Sequence, residues 1–498
     1  MRPTQGPDLI APNDIVERCK VMLSEHAQRV ATEYHQAPIS PKIVSGLIKF
    51  IATLLIFTTG LATYSHYQLP NIDVWGIGEL LTIATLELAL IAGFGGYNLH
   101  SYTHPRRQVV SILIIWTLVF AIPLSLPLGV GTSTIHWLQD WYLAGLFLLG
   151  GFHSFVAILI TRWSRCGRLQ RRAIIVGGGE DAAELIRSIS YGLDNTRICG
   201  IFDDRSGERS PDHVLGYQRL GTIAELVEFG RKARIDMLLI SVPLRAETRL
   251  LEILHQLWEL PVEIRISAQN YKLRFQSRSY SYIGAARFFD VFDKPIADWD
   301  AVAKRCFDLL FASLALTLVS PILIATAVAI KLDSKGPVFF RQKRYGFNNQ
   351  VINVLKFRSM YVDQCDHHAK VAVTKVDPRV TKVGRIIRKT SIDELPQLFN
   401  VLLGHLSLVG PRPHAIGSNT QNHPWESIVD SYFVRHKVKP GVTGWAQING
   451  WRGEIDTPEK LRSRVEHDLY YIENWNLFLD FYILARTPLA LFDTRNAY

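Results

Sequence analysis

Apolar positions before residue 165 gather into four long runs, near 43–64, 74–97, 109–130 and 141–160. Each is close to the roughly 20 residues that cross a bilayer, which predicts four transmembrane helices. Beyond Arg171 the pattern shortens. Apolar runs at 173–176, 198–202, 237–242 and 262–266 read as strands, and amphipathic stretches at 182–190, 223–232 and 247–259 read as helices between them. Strands alternating with helices predict a parallel, Rossmann-like sheet. Residues 268–300 are irregular, aromatic and rich in Ser and Arg, and read as a linker and packing surface. After them come a further apolar run at 306–330, a hairpin at 338–341 and 351–357 turning on Gly346, a short helix opened by Asp377-Pro378-Arg379, and an apolar helix at 477–491. That last helix is short for a span. It reads as lying on the bilayer surface, with a buried core helix as the alternative.

Charge fixes an orientation for the first four runs. Arg106 and Arg107 separate the second and third, and Arg162, Arg165, Arg168, Arg171 and Arg172 follow the fourth, whereas the other two loops hold no Lys or Arg. Positive loops stay inside, so both ends of the bundle are predicted to be cytoplasmic. Residues 1–42 are polar and too long before the first apolar run for a signal peptide, so the first span is read as a retained anchor behind a cytoplasmic tail. Glu87 lies mid-span and is expected to face the bundle interior, and Pro123 and Pro127 to kink the third span. A lone intramembrane carboxylate also raises a transport reading, with a thin pathway to support it.

The run at 306–330 carries cations on both flanks: Lys304 and Arg305 before it, Lys331, Lys335, Arg341, Lys343 and Arg344 after it. Both flanks ask for the same side of the membrane, and Ser320-Pro321 sits in the middle. A proline removes one helical hydrogen bond and a neighbouring Ser hydroxyl can satisfy the freed carbonyl. A re-entrant helix over 305–331, broken at Ser320-Pro321, is expected; a kinked ordinary span is the alternative.

The 498 residues suit two or three domains. The expected division is a tail (1–42), four transmembrane helices (43–161), a Rossmann-like α/β domain with its linker (162–300) and a second α/β domain carrying the re-entrant helix (301–498). The chain is 48% hydrophobic yet carries a net charge of +10. Its five cysteines, scattered and odd in number, fit a reducing compartment and no disulfide framework. The 16 histidines form no ligand pattern, and His367-His368 after Asp366 reads as a solvated loop.

Two stretches carry candidate chemistry. Gly177-Gly178-Gly179-Glu180-Asp181-Ala182 follows a strand and opens a helix as G-x-G-x-x-A, with Asp203 or Asp204 placed as a ribose partner after the second strand. Gly177, Gly179 and Asp203 are therefore candidate ligand residues, against the alternative of a tight turn that binds no nucleotide. No Tyr-x-x-x-Lys pair occurs between Arg171 and Asp300, which argues against an oxidoreductase or epimerase built on this sheet. The second stretch is Ser391-x-x-Glu394 before Leu395, Leu398, Phe399 and Leu402, a capping box predicting a helix from Ser391 to Gly404 with Asp393 in its first turn. A carboxylate there meets the positive end of the helix dipole beside N–H groups that also suit phosphate. The bland alternative is that Glu394 only caps the helix.

The phrases KRCFDLLFASLALTLVSP, KLDSKGPVFFRQKRYG, KFRSM, DPRVTKVG, TSIDELPQLFNVLLGHLSLVGPRPH and RHKVKPGVTGWAQINGWRGE, in this order over roughly 304–488, resemble the bacterial polyprenyl-phosphate sugar-1-phosphate transferases. The resemblance implies transfer of a hexose 1-phosphate from a UDP-hexose, glucose first and galactose next, to undecaprenyl phosphate with release of UMP. Asp393 would be the nucleophile and Glu394 a Mg²⁺ holder. Arg341, Lys343, Arg344, Lys356, Arg358, Arg388 and Arg412 would handle phosphate and nucleotide, and Gly441, Gly444 and Gly450 would shape the sugar pocket. The setting implied is the cytoplasmic face of a bacterial inner membrane, at the first membrane step of exopolysaccharide, capsule or O-antigen assembly. The large members also carry a central α/β domain, so that domain is not expected to perform the transfer. No nucleic-acid partner is implied, and the cations are interleaved with apolar residues and glycines rather than strung along a solvated face. A membrane-anchored nucleotide sensor is a further alternative, and a homo-oligomer is compatible with the sequence.

Overall fold

In a computed structural model the protein is described at residues 22–67, 74–125, 132–190, 196–205, 207, 210–243, 245–268, 281–362, 377–420, 423–430, 432–453 and 455–492. Pro127, Cys19, Cys365, Asp366, His367, His368 and part of the expected linker, 269–280, lie outside these residues. The chain forms two compact units, Pro38–Arg171 and the segments on either side of it.

The first unit contains helices Pro41–His66, Val74–Gly93, Pro105–Ser125 and Thr132–Arg165, close to the four predicted runs but with the last much longer. They share one core of Ile48, Ala52, Ile56, Leu80, Ile112, Trp116, Trp137 and Trp141. Trp137 and Trp141 donate their indole N–H to the carbonyls of Gly60 and Ile56, each at 3.1 Å, so large amphipathic rings are buried with their polar edge satisfied. Pro41–His66 and Ser133–Arg165 are long and apolar enough to cross a membrane; the apolar part of the second helix, Leu80–Gly93, is shorter. Glu87 is fully buried, as its cost in lipid demands.

In the second unit, β1 (Arg171–Val176), β2 (Thr196–Phe202), β3 (His213–Val214), β4 (Tyr217–Gly221), β5 (Met237–Ile240), β6 (Glu263–Ser267), β7 (Ser281–Ile283) and β8 (Ala286–Phe292) form one sheet in the order β3-β4-β2-β1-β5-β6-β8-β7. The four predicted strands and the helices Glu180–Ser190, Ile223–Lys232 and Glu247–Leu257 are all present. β1, β5 and β6 pair in parallel, and their buried runs Ile174–Val176 and Met237–Ile240 lie between two apolar layers. Two expectations change. Part of the supposed linker is the antiparallel β7–β8 hairpin, which extends the sheet beyond β6. Part of the supposed tail is the helix Glu25–Glu33, whose Ala27 and Ala31, with Leu23 and Tyr34, pack beside Leu226 and Phe229.

The helix Asp298–Asp333 then runs through Pro321 as one helical segment and is itself long and apolar enough to cross a membrane. Pro321 leaves the Thr317 carbonyl without its helical donor, and the Ser320 hydroxyl donates to that carbonyl at 2.8 Å. The hairpin β9 (Phe339–Tyr345) and β10 (Val351–Phe357) follows, then helices Lys382–Lys389, Gln397–Leu403, Pro458–Glu473 and Leu477–Phe492. Their core joins Val354, Leu398, Val401, Val409, Tyr471 and Ile483. The last helix is half core and half exposed: Asp480 and Ile483 are fully buried, whereas Phe478 is 88% exposed. Inside, Lys304 donates to Asp480 at 2.7 Å and to the Val409 carbonyl at 2.9 Å, and Tyr471 donates to Asp480 at 2.7 Å. This paired network anchors the start of the long helix to the C-terminal helix without leaving a bare buried charge.

Candidate active site

The predicted helix from Ser391 does not form. Thr381, and not Asp377, caps the helix Lys382–Lys389, and Ser391 turns out of its end in the left-handed region at φ 58°. Ile392–Glu394 is a single 3₁₀ turn, and the α-helix begins only at Gln397. Pro396 is the reason: in a helix starting at Ser391 its ring would meet the Ile392 carbonyl and its missing N–H would leave a gap. The helix does end at Gly404, in the left-handed region at φ 82°, as predicted. Because the capping box is absent, Glu394 is released from capping and its side chain is held by cations.

Glu394 Oε1 accepts from Lys356 Nζ at 3.0 Å and from Arg412 Nη2. Burial alone would raise this carboxyl, but Arg412 and Lys356 outweigh it and hold Glu394 well below the ordinary carboxylate range. These contacts leave Oε2 uncommitted. Asp393, one residue earlier, makes no side-chain hydrogen bond to any described residue. Burial pushes its carboxyl up to about 6, against the pull of Lys356, Arg388 and Arg412 and with the help of the Glu394 charge. A neighbouring pair is thus split into one clamped carboxylate and one free carboxylate that ionises near neutrality.

The hairpin supplies the floor. Opposite residues on antiparallel strands share a face, and Phe340↔Lys356, Gln342↔Val354 and Arg344↔Ile352 place Lys356 and Arg344 on the same one. Arg344 is oriented by Gln342 at 2.8 Å and by the Pro413 carbonyl. Its guanidinium is brought down to about 10 by burial and by Arg412 beside it. Arg412 lies on a loop fixed from below: Arg435, fully buried, donates to the Arg412 carbonyl at 2.7 Å and to Asp468 at 2.5 Å. Gly441 and Gly444 let this loop close, since a Cβ at either would sit 2.2–2.3 Å from backbone atoms of Gly410.

Three of the predicted phosphate residues stand elsewhere. Arg341 and Lys343 alternate onto the other face of β9 and are exposed. Arg358 is buried and donates to the Ser334 carbonyl at 2.8 Å and to the Lys335 carbonyl, closing the C-terminus of the long helix. Lys356, Arg344, Arg388 and Arg412 do surround the acid pair. Arg452, which spacing did not single out, joins them: it donates to Ser391 Oγ and feels the charges of Glu394 and Asp393. Among the described residues no group of three or more His, Cys, Asp or Glu is gathered for a metal.

The glycine turn of the central sheet is occupied by the protein itself. Gly177 and Gly179 have φ of 102° and 83°, as a phosphate-type turn requires. Asp203, however, accepts from the Gly178 N–H at 2.7 Å, from the Arg205 N–H at 3.0 Å and from Arg205 Nη2 at 2.9 Å. The expected ribose partner is therefore a saturated carboxylate placed where a phosphate would approach. Asp204 accepts from the Ile223 N–H at 2.8 Å and from Arg249.

A floor of cations under a split acid pair, beside an apolar helix, suits an anionic substrate, and comparison with known proteins gives the class. Residues 299–494 match the family described as bacterial sugar transferase, and residues 92–268 match a CoA-binding domain. The chain is 38% identical over 400 residues to the UDP-glucose:undecaprenyl-phosphate glucose-1-phosphate transferase of Klebsiella pneumoniae, covering 78% of this chain and 83% of that protein. It is 37% identical to the undecaprenyl-phosphate glucose phosphotransferase of Komagataeibacter xylinus, over 75% of this chain and 68% of that protein. It is 48% identical to the exopolysaccharide production protein PSS of Rhizobium leguminosarum bv. phaseoli, over 38% of this chain and 96% of that protein. The protein is thus a membrane enzyme of the glycosylphosphotransferase class. It belongs to the bacterial polyprenyl-phosphate hexose-1-phosphate transferase family, among the large members resembling undecaprenyl-phosphate glucose phosphotransferases.

Proposed function

We propose that this protein transfers glucose 1-phosphate from UDP-glucose to undecaprenyl phosphate and releases UMP, as the first membrane step in assembly of a surface polysaccharide. The observation that carries the reading is the free Asp393 carboxylate beside a clamped Glu394, with Lys356, Arg344, Arg388, Arg412 and Arg452 around them. Glucose is chosen because the two long relatives are named for it. The oxidoreductase and sensor readings lose support where Asp203 fills the glycine turn.

An Asp393 oxygen attacks the β-phosphorus of the UDP-sugar, and the bond from that phosphorus to the bridging oxygen breaks, so UMP leaves with the electron pair. The sugar phosphate is then an acyl phosphate on Asp393. An oxygen of undecaprenyl phosphate attacks the same phosphorus, Asp393 leaves as carboxylate, and the lipid diphosphate sugar forms. Arg412, Arg388 and Arg344 bind the non-bridging oxygens and offset the charge that builds on them. Glu394 Oε2 and Asp393 fit Mg²⁺, a hard ion content with one or two carboxylates when diphosphate and water complete its shell. When bound, the ion would supply charge neutralisation to the diphosphate.

The long helix is read as re-entrant, with the catalytic domain on the cytoplasmic face of the inner membrane. Near one end, Arg305 donates to the Val401 and Leu402 carbonyls at 2.6 and 2.7 Å. At the other, Asp333 accepts from the Val383 N–H at 3.2 Å and Arg358 holds Ser334. A straight helix would separate these ends by about 43 Å. The two anchors are linked through the hairpin, since Asn400, next to Val401, accepts from the Leu355 N–H at 2.8 Å, three residues from Arg358. An apex near Pro321, with Leu318 79% exposed, suits insertion into one leaflet and return.

The test is UMP release by the full chain in lipid nanodiscs supplied with undecaprenyl phosphate and UDP-glucose, UDP-galactose or UDP-N-acetylgalactosamine. UDP-glucose should turn over fastest. Preference for another sugar would overturn the choice of glucose, and no release from any would overturn the reaction.

A further inference from the structure

The turn Tyr432–Lys437 has two faces with different tasks. Inward, Arg435 holds the Arg412 carbonyl and Asp468. Outward, Phe433 and Lys437 meet the central α/β domain. The Arg231 guanidinium, at the end of the helix Ile223–Lys232, lies 5.8 Å from the centre of the Phe433 ring, and Glu259 steadies it at 3.1 Å. The Lys437 ammonium lies 5.9 Å from the Trp258 ring and 5.3 Å from the Phe292 ring. Next to the turn, Asn348 is buried at φ 53° and donates to the Gly230 carbonyl at 3.0 Å, Arg234 lies 5.9 Å from the Phe347 ring, and Asn349 bonds His436.

These contacts converge on one short segment. A cation over an aromatic face gains most where water is excluded, and Lys437 is only 6% exposed. Asn348 spends a left-handed backbone on reaching Gly230, a conformation Asn tolerates better than most residues. Only one residue, Arg435, separates this outward grip from the backbone of Arg412, whose side chain pairs with Glu394.

We propose that the central α/β domain positions the active site: through Arg231 on Phe433 and through Trp258 and Phe292 on Lys437, it holds the turn that sets Arg412 against Glu394. Arg231 and Lys437 are then positioning residues. They touch no reacting atom and act through Arg435 and Arg412. This gives the central domain a task in catalysis that needs no ligand in its glycine turn. The inference rests on the assignment of Asp393 and Glu394 to the reaction.

The readout is the split between kcat and KM for UMP release, measured on the full chain in nanodiscs. Arg412 binds the phosphate of the substrate, so loosening it raises KM for UDP-glucose as well as lowering kcat. Arg231→Ala should cut kcat about tenfold and raise KM about threefold. Arg231→Lys, which keeps a cation over Phe433, should restore both. Lys437→Met keeps the buried stem, removes the charge and should behave as Arg231→Ala does. A general loss of folded protein would lower the apparent kcat without moving KM. An unchanged KM in Arg231→Ala or Lys437→Met, or an equal rise in Arg231→Lys, would overturn the inference. Activity that survives Asp393→Asn would instead overturn the reading on which it rests.

Discussion

Asp203 and Asp393 sit in comparable settings, each a carboxylate beside arginine in a tight turn of an α/β domain, and they differ in what occupies their oxygens. Asp203 takes the Gly178 and Arg205 N–H groups and the Arg205 guanidinium. Burial would raise it, but those bonds prevail and hold it below the usual carboxylate range. Asp393 is near more cations yet hydrogen-bonded to none of the described residues, and burial moves it the other way. A saturated carboxylate stabilises a fold; an unsaturated one within reach of several cations is poised to react. The difference also explains why a glycine-rich turn is weak evidence of a ligand. The backbone can adopt the phosphate-binding shape and give the N–H to its own side chain.

The sharpest way to break the comparison is substitution by the neutral amide. Asp393→Asn should leave a folded protein and lower turnover about a thousandfold or more, measured as UMP release. Glu394→Gln should cost about a hundredfold or more, because Lys356 and Arg412 lose the charge that orders them. The pH dependence is the next largest effect. On the proposed mechanism Asp393 attacks as the carboxylate, and burial raises it to about 6, so kcat/KM should fall as pH drops through about 6. A profile flat from pH 5 to 8 would contradict that.

Asp203→Asn should do the reverse of Asp393→Asn, keeping turnover within about twofold while lowering stability by about 1–3 kcal/mol. Because the folded-state pKa of Asp203 is depressed, its stabilisation is present above the unfolded value and is lost as pH falls towards the folded one. Thermal unfolding of the two proteins at pH 7 and pH 3 should therefore converge at the lower pH. The smallest effects belong to Arg341→Ala and Lys343→Ala, on the exposed face of β9. Each should stay within about 0.5 kcal/mol in stability and show near-parental turnover.

Much of this contrast was legible in the sequence. The central sheet could be read because buried parallel strands are continuous apolar runs, as at Ile174–Val176 and Met237–Ile240. The β7–β8 hairpin was not, since SYI is only three residues long and Arg and Asp interrupt the apolar run in ARFFDVF. The Glu25–Glu33 helix hides its stripe in small residues, Ala27 and Ala31. Asp393 and Glu394 stand out by resemblance, but the capping box that Ser391-x-x-Glu394 suggests does not form, because Pro396 does not fit the interior of a helix begun at Ser391. Arg341 and Lys343 fall away from the acid pair because period two allows only alternate residues of a strand onto one face. Arg435 reaches the Arg412 carbonyl and Arg452 reaches Ser391 by tertiary contact alone, which spacing cannot reveal.

The most direct measurement is the mass of the peptide containing Asp393 after the enzyme meets UDP-glucose and Mg²⁺ without lipid acceptor. The account predicts an added hexose phosphate on Asp393, UMP release equal to the enzyme present, and loss of the adduct when undecaprenyl phosphate is added. UMP release that strictly requires the lipid, with no added mass at Asp393, would contradict it and point to direct attack by undecaprenyl phosphate.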